Sequence, residues 1–154
     1  MITNPDEQIS SFAVGGADLI SVHLETCPHL YHTLQNIRTL GCKVGVALNP
    51  ATGIESLREV IPLLDVVLIL GSNPGFSGQG LIPAMVGKIG RLAQFLRQEG
   101  SPAMIEVDGG ITTQNLAQVY QAGGRSFVSG SAVFNHPAGI AAGISSLRES
   151  VLEE

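Results

Sequence analysis

This chain is short of several things, and each shortage narrows what it can be. It has no tryptophan, and aromatic residues make up 5% of its 154 residues. Only 14% of the residues are charged, while 44% are hydrophobic. Disorder needs the opposite balance, so the chain folds. Lys and Arg total 8 against 13 Asp and Glu, and the basic residues are scattered. No stripe is left to neutralise a nucleic-acid backbone, which excludes that class of partner. An anionic small molecule remains open, because backbone N–H groups can hold it without Lys or Arg. The two cysteines, Cys27 and Cys42, are too few for a disulfide scaffold and lack metal-type spacing. The N-terminus "MITNPDEQ" has no apolar signal core. The most apolar run, "VIPLLDVVLIL", is interrupted by Pro62 and Asp65 and is too short to span a bilayer. These absences predict reduced thiols, a cytoplasmic location and no membrane partner.

What is present is Ala, Val, Ile, Leu and Gly, the composition of a parallel sheet buried under helices. The length predicts one domain over residues 1–154. Helical and strand patterns alternate. "PDEQISSFAVGG" reads as a helix, with Asn4 as N-cap and Pro5 at the first position. Five strand–helix units follow. Their strands are "LISVHLE", "KVGVALNP", "VVLILG", "AMIEVDGGI" and "SFVSGSAVF". Their helices are "CPHLYHTLQNIRTLG", "GIESLREVIPLL", "IPAMVGKIGRLAQFLRQEG", "TQNLAQVYQAGG" and "PAGIAAGISSLRESVLE", the last with Asn135 near its cap. Such alternation calls for right-handed crossovers and a parallel α/β sheet. Two architectures compete: a doubly wound open sheet, and part of a (β/α)8 barrel. Composition does not decide between them.

Both architectures place a ligand at the C-terminal ends of the strands. Those ends carry "HLET", "NPATG", "SNPGFSGQG", "DGGI" and "GSAVF". Successive glycine clusters favour an anion cradle over mere tight turns, since glycine lets backbone N–H groups approach a ligand. No Walker motif and no "GxGxxG" opens the first helix, so a nucleotide fold is not indicated. Asp108 ends an apolar strand among the glycines, where a carboxylate needs water, hydrogen bonds or a cation. It reads as a metal ligand, a general acid/base or a turn cap. Glu106, two residues earlier, faces the same way. His23 lines the pocket or serves as a hydrogen-bonded core residue; His29, His32 and His136 read as solvent-facing or structural.

The motifs "GADLISVHLE", "KVGVALNPAT", "NPGFSGQ", "EVDGGI" and "FVSGSAVF", in that order, resemble the ribulose-phosphate 3-epimerase family. The resemblance implies an incomplete (β/α)8 TIM barrel comprising strands 4–8. It implies metal-assisted epimerisation at C3 of a ketose phosphate, D-ribulose 5-phosphate to D-xylulose 5-phosphate, with zinc, iron or manganese as the divalent metal. By position, Gly75, Phe76, Ser77 and Gly78 become loop contacts to substrate, and Gly109, Gly110, Gly130 and Ser131 hold the phosphate. Asp108 becomes a metal ligand and one of two catalytic aspartates. The family's other Asp and its metal-binding histidines belong to a stretch upstream of Met1, which matches the Met of a His-Leu-Met motif. Leu70 stands where the resemblance implies a Met capping the metal region, and "SGQG" replaces a more typical "GGQ" plus a bulky residue. A non-catalytic sugar-phosphate-binding remnant, or a half-barrel needing a partner chain, is the alternative implied by these departures. Open strand edges predict a homo-oligomer.

Overall fold

The computed structural model describes residues 1–76 and 78–152. Its strands are β1 (Leu19–His23), β2 (Lys43–Leu48), β3 (Val66–Leu70), β4 (Met104–Asp108) and β5 (Ser126–Val128). The helices are α1 (Ile9–Val14), α2 (Leu30–Thr39), α3 (Ala84–Gln98), α4 (Leu116–Ala122), α5 (Ser131–Phe134) and α6 (Ile140–Leu152). All pairings are parallel, in the order β1-β2-β3-β4-β5. A doubly wound sheet reverses its strand order at a switch point, and this sheet never does. Sequential order is the arc of a barrel, so the structure decides between the two architectures left open by composition.

Register sorts the side chains onto two faces, because paired residues in neighbouring strands point the same way. Val44, Val46, Val67, Ile69, Ile105 and Val107 point one way and are buried in the main core. Leu34 and Ile37 of α2, Ile89 and Leu92 of α3, and Val119 of α4 belong to that same core. The other face carries Ser21, His23, Leu68, Glu106, Asp108 and Val128. Small residues let this face curl: a Cβ on Gly45 would lie 2.0 Å from the Ser21 hydroxyl oxygen. At its margins Met104 is 40% exposed and Val128 45%, which is unusual for strand residues of a covered parallel sheet.

Three expected elements change form. "GIESLREVIPLL" is two 3₁₀ turns, Ile54–Leu57 and Ile61–Leu63, rather than one α-helix. Pro62 offers no N–H and disfavours helical geometry at Ile61. Leu57, Val60, Ile61 and Leu64 are nevertheless buried, so the segment fills the place of a helix without being one. At the N-terminus, Pro5–Glu7 forms a separate 3₁₀ turn before α1, and Asn4 makes no cap. Its amide instead donates to the Glu7 carboxylate at 2.5 Å. "SFVSGSAVF" stops being a strand at Val128, and Ser131–Phe134 is the short helix α5. Asn135 therefore ends α5 and does not begin α6. Among the described residues, no helix is long and apolar enough to cross a membrane.

Candidate functional site

A cleft of about 780 Å³ opens where β3, β4 and β5 end. One wall is the segment that leaves β3 and enters α3. Its first stem is pinned to the end of β4 by the Gly71 N–H, which donates to the Asp108 carbonyl at 2.6 Å, and its second stem is pinned to the first by the Ile82 N–H, which donates to the Gly71 carbonyl at 2.8 Å. The double glycine after Asp108 is packed between those stems. A Cβ on Gly109 would lie 2.5 Å from Ser72 Oγ, and one on Gly110 would lie 2.0 Å from the Leu81 nitrogen. Their φ values, +110° and +70°, add a second reason for glycine. The fold therefore demands both residues, whatever ligand they meet.

Gly130 is different. Its φ is −94°, and a Cβ there would meet nothing within 4 Å. The fold does not require glycine at this position, which lines the cleft beside Ser131. A Cβ at residue 130 would stand in open space at the rim of the cleft that Asp108 also lines.

Between the stems, Gly75 and Gly78 take φ of +101° and +80°. Gln79 crosses the chord: its Nε2 donates to the carbonyls of Asn73 at 2.8 Å and Phe76 at 2.9 Å. Phe76 lines the cleft and is 77% exposed. Gly75, Phe76 and Gly78 line the cleft wall, and Ser77, the fourth residue assigned as a loop contact, lies outside the described residues. Gln79 sits inside the motif "NPGFSGQ", where its residue type alone signals no role. Its amide has a structural duty that only the folded turn reveals.

Asp108 is half-buried on the cleft wall. Burial pushes its carboxyl above the usual range, and the Glu106 charge pushes the same way. Glu106 itself is occupied, accepting the Ser126 hydroxyl at 2.6 Å. Asp108 is the one carboxylate among the described residues lining the cleft. No three His, Cys, Asp or Glu side chains among the described residues come together as a metal-binding group. A divalent cation needs several such oxygen or nitrogen donors, so the donors of this chain do not by themselves fit one.

His23 stands apart from this cleft and lines a smaller groove of about 330 Å³ along the outer edge of β1. His29 and His32 are exposed. His136 Nδ1 accepts the Ala138 N–H at 3.2 Å, a local turn contact. Lys88 carries no signal in the sequence pattern, yet it is 4% exposed and donates to the carbonyls of Asn49 at 2.7 Å and Pro50 at 3.3 Å. A lysine in a helical pattern ordinarily reads as solvated.

Comparison with known proteins joins these features. The ribulose-phosphate 3-epimerase family matches residues 1–134. The chain is 48% identical to a ribulose-phosphate 3-epimerase of Synechocystis sp., over 89% of this chain and 60% of that one. It is 43% identical to the chloroplastic ribulose-5-phosphate-3-epimerase of Arabidopsis thaliana, over 87% of this chain and 48% of that one. The Escherichia coli K12 ribulose-phosphate 3-epimerase is 39% identical over 89% and 61% of the two chains. The chain thus spans roughly half to three-fifths of the length of these relatives. Among solved structures, KGPDC from Streptococcus mutans in complex with D-R5P superposes with a TM-score of 0.70 at 13% identity, covering 96% of this chain and 67% of that one. The 3-hexulose-6-phosphate synthase of Salmonella typhimurium gives a TM-score of 0.67 at 20% identity, over 96% and 68%. At those identities the two structures speak to the fold alone. Sequence identity, motif order and the arc of sequential parallel strands agree: this chain belongs to the ribulose-phosphate 3-epimerase family.

Proposed function

We propose that this chain supplies the phosphate-binding side and one acid/base carboxylate of a ribulose-phosphate 3-epimerase. The observation that carries the reading is the shared cleft. Asp108, its pKa raised by burial, faces the same space as Gly130, a glycine the fold does not need. In this reading the backbone N–H groups of Gly109, Gly110, Gly130 and Ser131 hold the phosphate of D-ribulose 5-phosphate. Gly75, Phe76 and Gly78 cover it and exclude water. Asp108 moves the proton at C3, which is acidified by the neighbouring C2 carbonyl. A carboxyl with a raised pKa is a better base toward carbon and a ready acid in return.

Epimerisation also needs a group on the opposite face of C3. Among the described residues of the cleft there is no second carboxylate or imidazole. The zinc, iron or manganese expected for the family likewise needs donors beyond Asp108. We therefore assign the second proton carrier and the remaining metal ligands to further βα segments outside this sequence or on another chain, and no step here runs through the metal. The lone carboxylate also favours a second reading, in which this chain binds a ketose phosphate without turning it over.

Calorimetric titration with D-ribulose 5-phosphate, paired with a coupled epimerase assay, tests both readings. Binding without turnover is expected of the isolated chain. Turnover by this chain alone would overturn the assignment of a single acid/base group, and absence of any binding would overturn the phosphate site.

A further inference from the structure

A second polar cluster sits at the C-terminal ends of β1 and β2, outside the main cleft. Its centre is Glu25. One carboxylate oxygen, Oε1, accepts the Asn49 N–H at 2.8 Å and the Thr52 hydroxyl. The other, Oε2, lies 3.4 Å from His23 Nδ1. Burial alone would push the Glu25 carboxyl up; the Thr52 hydroxyl, the Asn49 N–H and His23 outweigh it, so the carboxylate is held below its usual range. From the other side, the buried Lys88 donates to the carbonyls of Asn49 and Pro50, fixing the same loop. The result is an anion anchored through one oxygen and free to orient an imidazole with the other.

Only one imidazole nitrogen of His23, Nδ1, faces a partner among the described residues, at the 3.4 Å spacing of an ion pair with Glu25. Among the described residues no hydrogen bond engages its Nε2, and its side chain is 16% exposed, so it is not sealed in the core. Register fixes where it points. The pairing His23–Ala47–Leu68–Glu106 runs across the sheet, and Glu106 shares its face with Asp108. His23 and Asp108 therefore stand on the same concave side, three strand spacings apart. Glu106 is about 14 Å from His23 along the sheet, and Asp108 lies two residues, about 7 Å, further toward the C-terminal end of β4; the curl of the sheet shortens the distance across. Between them lie Ala47 and Leu68, which carry no competing polar group.

We propose that His23 is a binding residue for a hydroxyl of the sugar at the end remote from the phosphate, and that Glu25 is the positioning residue that orients it. The inference rests on the ketose-phosphate reading of the cleft and adds to it a residue at the far end of the ligand. A hydroxyl both donates and accepts, so it suits the free nitrogen of an imidazole whose other nitrogen is fixed by a carboxylate.

Nitrogen NMR of the imidazoles, together with backbone amide shifts, tests this on the whole chain with two probes, D-ribulose 5-phosphate and inorganic phosphate. D-ribulose 5-phosphate is expected to move His23 Nε2 and the amides of Gly109 and Gly130. Inorganic phosphate is expected to move the amides alone. If the glycine amides respond to both probes and His23 to neither, the proposal falls and the phosphate site survives. If His23 responds equally to inorganic phosphate, it reads anions rather than hydroxyls, and the proposal falls. If nothing responds to either probe, the proposal falls together with the cleft reading. Glu25→Gln keeps the shape but weakens the hold on His23. It is expected to weaken D-ribulose 5-phosphate binding about tenfold, the effect of one lost hydrogen bond, with inorganic phosphate affinity unchanged. Equal loss for both ligands would make Glu25 a structural residue and overturn its role.

Discussion

With the role proposed for it, Asp108 is where chemistry and stability pull against each other. Its carboxyl is raised by burial and by Glu106, so its protonated form is the one the folded state prefers. The stabilising contribution is present below the ordinary carboxylate pKa and is lost as pH rises through the higher folded-state value. At neutral pH the charge is a liability to the fold, as is common at functional sites. Asp108→Asn is therefore expected to raise the melting temperature at pH 7 and to leave it nearly unchanged near pH 3, below both pKa values. In an active assembly containing this chain, the same change is expected to lower kcat by about 10²–10⁴-fold, the usual worth of a general acid/base. Thermal unfolding at the two pH values and a steady-state assay check the pair of outcomes; a lower melting temperature at pH 7 would contradict the desolvation argument. Gly130 gives a cleaner separation. Its Cβ space is empty, so Gly130→Asp is expected to leave the melting temperature unchanged while an added carboxylate repels phosphate. Calorimetry should then show no binding of D-ribulose 5-phosphate, and retained affinity would move the phosphate elsewhere.

At the scale of elements, the segment between β3 and α3 explains why the glycines of the site are not equivalent. Gly110 has a backbone nitrogen 2.0 Å from its absent Cβ, whereas Gly130 has nothing near it. Gly110→Ala is expected to displace the stem at Gly80 and Leu81, and so to cost both stability and binding, measured as a lower melting temperature and a weaker D-ribulose 5-phosphate affinity. A fully stable Gly110→Ala protein would refute the packing account. In the sequence these glycines looked alike, because composition shows that glycine is present but not what approaches it. The strands were legible, since short Val- and Ile-rich runs between turn residues have little else to become. The segment "GIESLREVIPLL" misled because its apolar spacing is helical while Pro62 forbids the helix; burial is kept and hydrogen bonding is not. The end of β5 misled for the reverse reason: "SGSAVF" has strand-like residues, but the chain turns at Gly130 into α5. Lys88 and Glu25 were invisible because their roles depend on carbonyls and N–H groups of the loop after β2, brought to them by the sheet order.

At the scale of the whole molecule, the sheet is an arc rather than a closed ring. Among the described residues, β1 and β5 each pair on one side only. A (β/α)8 barrel has no edges because its strands close on themselves, and unpaired edges are templates for association. Four of the exposed apolar residues fall near those edges: Phe12 at 60% and Val14 at 88% in α1, preceding β1, with Val128 at 45% and Phe134 at 70% at the β5 end. Burial of apolar surface at about 25 cal/mol per Å² favours covering them, and patches of this kind mark interaction surfaces. The isolated chain is therefore expected to self-associate, with an average mass that rises with concentration in light scattering after gel filtration. Two charges test whether the edge is the cause. Val128→Lys places a charge on the β5 edge and Val14→Lys one beside β1, and the pair is expected to shift the chain toward monomer without lowering its melting temperature, since both side chains are largely exposed. A parent chain that stays monomeric at every concentration would mean that the curled sheet protects its own edges, and the need for outside segments would then rest on the missing acid/base group alone.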